Sequence, residues 1–158
     1  MKNVSELVDF CANVDNATLE KVVDQIYTHQ PFVVSLFLGY KDDVDMFQLD
    51  ELLRILIVIW LFFEDHPRVK QKRITQKMFE ARQKKNVTFL DYMDGEPSQS
   101  AKNQLVAENL KALHSKELWT MVFYKFKEGA ALKTLDPQLS GIILIGMKSL
   151  MECFEEVV

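Results

Sequence analysis

The chain has 158 residues, of which 48% are hydrophobic and 27% charged, with a formal net charge of −4. That length and mixture fit one soluble globular domain with a core large enough to need neither metal nor disulfide. They exclude a disordered or fibrous chain, and five Gly and four Pro are too few for a turn-rich β architecture.

The first residues, Met1-Lys2-Asn3-Val4-Ser5-Glu6, lack the apolar segment of a secretion signal. A reducing cytoplasmic setting is therefore expected, with Cys11 and Cys153 as buried free thiols. The tripeptides at Asn3, Asn16 and Asn86 that fit the glycosylation pattern are then chance matches.

Ser5 can cap a first helix carrying Leu7, Val8, Cys11 and Val14. Asn16 or Thr18 can cap a second, with Leu19, Val22, Val23, Ile26 and Tyr27 on one face. Pro31 suits a first helical position and opens a short apolar piece, Phe32 to Leu38, ended by Gly39. The longest apolar run, Leu52 to Phe63, is interrupted only by Arg54. It is too short for a bilayer, which needs about 20 apolar residues. Being apolar on every side, it predicts a helix buried all round, at about 45–65. A buried strand is the competing reading. Helical spacing of Met46, Phe47, Leu49, Leu52 and Leu53 favours helix, as do acids at Asp43, Asp45, Asp50 and Glu51, near the positive end of the helix dipole.

Glu64-Asp65-His66-Pro67 ends that run. A basic helix is expected from about 67 to 85, with Ile74, Met78 and Ala81 inward and Phe79 on the far side. Val87 to Met93 continues it or forms a short helix, and Asp94-Gly95-Glu96-Pro97-Ser98 is a loop. Leu105, Val106, Leu110 and Leu113 mark one more amphipathic helix. Ser115 can cap another, carrying Leu118, Trp119, Val122, Phe123 and Phe126, with Gly129 beyond its end. Asp136-Pro137 opens the last, with Leu139, Ile142, Ile143, Met147, Leu150, Met151 and Phe154 inward. Gly141 and Gly146 each cost that helix about 1 kcal/mol relative to Ala, so a close neighbour is expected at both. No repeat with a period of roughly 20–50 residues is present. The expected fold is all-α: a single domain over 1–158, an irregular bundle of about seven helices around the buried central helix.

The residues offer little chemistry. There is no Gly-rich phosphate loop. His29, His66 and His114 fall at or near expected helix C-termini, where the dipole accounts for them. Glu64-Asp65-His66 resembles a ligand triplet, but adjacent helical residues point about 100° apart. The thiols have no basic neighbour to activate them. Paired acids such as Asp91/Asp94 and Glu152/Glu155 read as solvated faces. No catalytic residue, metal or cofactor is expected.

The basic segment remains. Residues 66–85 hold eight Lys and Arg against Glu80 alone, a net +7, while residues 1–65 carry −8 and residues 86–158 carry −3. On a continuous helix, Lys70, Arg73, Lys77 and Lys84 form one stripe beside the inner face. The leading expectation is a non-catalytic helical protein–protein interaction domain that binds an acidic partner, or a second copy of itself, through this stripe. The plain alternative is a solvated helix balanced by the chain's own acids, such as Asp42, Asp43 and Asp45. Two other classes compete: nucleic-acid or anionic-ligand binding through residues 67–85, which the global −4 and the lack of interleaved aromatics count against, and an enzyme whose site is assembled from residues distant in sequence. No membrane association is expected.

Overall fold

The computed structural model describes residues 3–94, 98–99 and 113–158. These form eight α-helices and one 3₁₀ turn, without strands among the described residues. In chain order they are α1 (Val4–Asn13), α2 (Asn16–His29), α3 (Pro31–Leu38), α4 (Met46–Phe63), α5 (Pro67–Gln71), α6 (Gln76–Asp94), α7 (Lys116–Glu128), the 3₁₀ turn Leu132–Thr134, and α8 (Pro137–Val157). The fold is an all-α bundle. The helix expected around Leu105 to Leu113 lies outside the described residues, apart from Leu113, which is buried.

Local chemistry sets the helix starts. Asn3 Oδ1 accepts from the amides of Ser5 and Glu6, and Asp15 Oδ1 from that of Thr18. In both cases the cap lies before the residue expected from sequence. Asp45 and Gln48 form a reciprocal capping box at the start of α4, and Asp136 caps α8 ahead of Pro137. Pro31 and Pro67 occupy first-turn positions, where a missing N–H costs nothing. Ser115 departs from expectation. Its side chain makes no capping bond, and its amide and hydroxyl both donate to Glu155 Oε1.

Seven consecutive α4 residues, Ile55 to Leu61, are buried. Burial on every side follows from neighbours on several faces: α1, α2 and α3 pack along the helix, and Trp60 and Phe63 meet Phe154 of α8. Each fully buried side chain of this kind contributes roughly 1.5–3 kcal/mol of transfer free energy. Polar clasps hold the first half of α4. Glu51 Oε2 accepts from the amides of Ala131 and Leu132, and Arg54 donates to the carbonyl of Cys11.

Two expectations about α8 are corrected. Ile142 is 50% exposed rather than inward. Gly141 has no neighbour within 4 Å of where a Cβ would stand, whereas a Cβ at Gly146 would lie 2.5 Å from the Tyr40 hydroxyl. Only the second glycine marks a close approach.

Candidate partner-binding surface

The basic segment is not one helix. α5 ends at Gln71, Lys72 turns to extended geometry, and α6 begins at Gln76 after an N-cap at Thr75. The break is built around Gln30, the fully buried residue between α2 and α3. Its Nε2 donates to the carbonyls of Val69 (2.7 Å) and Lys72 (2.9 Å), and its Oε1 accepts from the amide of Ile74 (2.7 Å). Interrupting the helix frees backbone carbonyls and amides, and one amide side chain satisfies three of them. Val69 and Ile74 are pinned inward on either side, so the end of α5 with Lys70 and the link with Lys72 and Arg73 are anchored from beneath.

The face of α6 also differs from expectation. Phe79 is buried against Phe32, with ring centroids 5.7 Å apart, while Met78 is half-buried and Ala81 exposed. The inward row continues through Arg82 and Asn86 into a polar seam with α8, the most extensive helix pairing among the described residues. Asn86 Nδ2 donates to Ser149 Oγ (3.0 Å) and Glu152 Oε1 (2.7 Å). Lys148 Nζ donates to Asn86 Oδ1 (2.8 Å) and Glu152 Oε1 (3.0 Å). Arg82 pairs with Glu156 at 3.1 Å and reaches Glu152 at 3.8 Å. Glu152 and Glu155 are therefore structural acceptors, not the solvated pair expected from sequence.

Lys70, Arg73, Lys77 and Lys84 are all exposed. Lys77 and Lys84 lie two turns apart on α6, opposite its inward row, while Lys70 belongs to α5 and Arg73 to the link. They do not share one helix face. They do share a charge and, among the described residues, an absence of counter-ions. Ion pairs among the described residues involve Arg54, Arg82 and Lys148, and none reaches Arg68, Lys70, Lys72, Arg73, Lys77, Lys84 or Lys85. The acids Asp42 and Asp43, the expected internal counterweight, meet none of these cations.

Among the described residues, two cavities adjoin other titratable groups. One of about 450 Å³ is lined by Phe62, Phe63, Asp65, His66, His114, Ser115, Glu155 and Val158. A smaller one of about 100 Å³ lies between α1, α4 and α7, beside Cys11, Glu51, Arg54 and Lys125. Among the described residues no three His, Cys, Asp or Glu are arranged to hold a metal, Glu64-Asp65-His66 included. Burial pushes the Cys11 thiol up to about 11, partly offset by the nearby Arg54 charge. Burial, with Glu156 and Glu152 adding, pushes Cys153 to about 12 against the opposing pull of Arg82. Both are poor nucleophiles at neutral pH. No described helix is long and apolar enough to cross a membrane. No protein-family model, curated protein or solved structure matches the chain.

Proposed function

We propose that this chain is a non-catalytic interaction domain working in the reducing cytoplasm, and that the exposed cations Lys70, Arg73, Lys77 and Lys84 contact an acidic surface on another protein or on a second copy of the chain. The observation that carries this reading is the set of seven exposed cations, Arg68 to Lys85, that meet no carboxylate among the described residues. The acid nearest to them on α6, Glu80, stands one turn from Lys77 and Lys84 yet is hydrogen-bonded by Gln76 and pairs with neither. Anchoring by Gln30 supports it further, because a pre-organised surface loses little freedom on binding. The buried free thiols accord with a reducing compartment.

Bait experiments test this. Wild type and a Lys70→Glu/Arg73→Glu/Lys77→Glu variant, matched for melting behaviour, are compared for proteins retained from a source-cell lysate at low salt. Retention by wild type, loss in the variant and release by salt are expected, since exposed charge pairs are screened over about 8–10 Å. Equal retention by both proteins refutes the reading. Tight binding of a short DNA duplex, weakening steeply with salt, transfers the surface to the nucleic-acid class.

A further inference from the structure

The most exposed large apolar side chains in the described structure are adjacent. Met46 is 86% exposed and Phe47 80%, both in the first turn of α4. Their position follows from the helix phase: Gln48 and Leu52 turn inward, so residues 46 and 47 face out. Their mount is rigid. The Asp45 carboxylate accepts from the Gln48 amide at 2.8 Å, Gln48 Oε1 accepts from the Asp45 amide at 2.9 Å, and Gln48 Nε2 donates to Thr134 Oγ1 at 3.1 Å. Asp42 and Asp43 lie in the turn just before the pair, after Lys41, exposed and without an ion pair among the described residues. An apolar knob held by its capping box and preceded by a pair of exposed acids calls for a partner that is apolar and basic.

The chain itself carries such a surface. On α6, Val87 is 42% exposed and stands one turn from Lys84, with Lys77 two turns before Lys84 on the same side. Two acids border that row: Glu80, engaged by Gln76 Nε2 at 2.9 Å, and the exposed Asp91, one turn beyond Val87.

We propose that the first turn of α4 docks on α6 of a second copy of this chain, with Met46 and Phe47 covering Val87 while Asp42 and Asp43 meet Lys84 and Lys77. This rests on the reading of the basic segment as a partner-binding surface and names the partner. Each copy carries both halves of the contact, so the association either closes into a ring or propagates. Three apolar side chains and two charge pairs amount to far less than the ~1,200 Å² of a standard stable interface, so the association is weak and salt-sensitive.

Charge exchange tests it. One variant carries Asp42→Lys/Asp43→Lys, the other Lys77→Glu/Lys84→Glu. All four positions are exposed, so both variants should melt like wild type. In sedimentation at low salt and up to about 1 mM protein, wild type should show a mass that rises with concentration. Each variant alone should associate at least about tenfold more weakly, because like charges now face each other. An equimolar mixture should recover association, because each altered patch then meets its complement. Phe47→Ser should weaken association at low and high salt alike.

Wild type that stays monomeric overturns the proposal, as does a mixture that fails to recover or variants that associate like wild type. The broader reading fails separately: baits that lose no protein on charge reversal refute it. A monomeric wild type whose basic surface still retains a foreign protein removes only the second-copy partner.

Discussion

Gly141 and Gly146 look alike in the sequence, since both interrupt one helix with a residue that weakens it. They differ in what surrounds them. Gly146 lets α8 approach Tyr40 and Phe79, while Gly141 faces open space. A helix pattern records the cost of glycine but not the neighbour that requires it. Gly141→Ala should therefore raise stability by up to about 1 kcal/mol, the propensity gain alone. Gly146→Ala should lower it by about 1 kcal/mol despite the same gain, because the Tyr40 hydroxyl must yield and its ring is packed against Phe37. Removing that hydroxyl by Tyr40→Phe should shrink the Gly146→Ala penalty. Urea unfolding of the four proteins in this cycle measures the coupling, and independent effects of the two substitutions would refute the steric account.

Among the elements, those most legible in the sequence were the ones signalled by apolar residues and caps. α4 announced itself through a run with no polar face, and α8 through Asp136-Pro137. The segment from Pro67 onward was misphased for a physical reason. Hydrophobic periodicity sees only apolar side chains, whereas α6 turns Arg82 and Asn86 inward, toward Ser149 and Glu152. The break before α6 was hidden in the same way, because its cause is a glutamine about 40 residues earlier. Gln30 is also where the presentation of the basic surface is open to test. Gln30→Ala leaves two carbonyls and an amide without their partner, at a cost of about 2–4 kcal/mol for three net hydrogen bonds and the desolvation left behind. Gln30→Glu keeps an acceptor for Ile74 but aims oxygen at the carbonyls of Val69 and Lys72, so it should be no better tolerated. A clear drop in urea midpoint for both, with protection from amide exchange lost first at Val69 to Ile74, is the expected result. Unchanged exchange there would mean that the link is held by something else.

At the scale of the whole molecule, burial shapes the response to alkaline pH. Cys11, Cys153 and Tyr40 all have pKa values raised by desolvation, the thiols to about 11 and 12 and the phenol to about 12. In the unfolded chain these groups ionise near their ordinary values, about 8.5–9 for a thiol and 10 for a phenol. Below pH ~8 all three are protonated in both states, and their contribution to stability is fully present. As the pH rises through 9 and 10, the unfolded chain loses protons that the folded chain keeps. The unfolded state then binds fewer protons, so stability falls with pH until the folded groups ionise at about 11–12. The urea midpoint should therefore decline between about pH 8 and 10.5. Since thiols titrate first, a Cys11→Ala/Cys153→Ala protein should show a shallower decline between about pH 8 and 9.5, even if its stability at neutral pH is lower. Thiol reagents give a second readout that does not depend on that slope. Both cysteines should stay unmodified in the native protein near pH 8 and react once it is unfolded. Rapid modification of either thiol in the native state, together with an equally steep pH decline in the double variant, would show that neither is held protonated by the core.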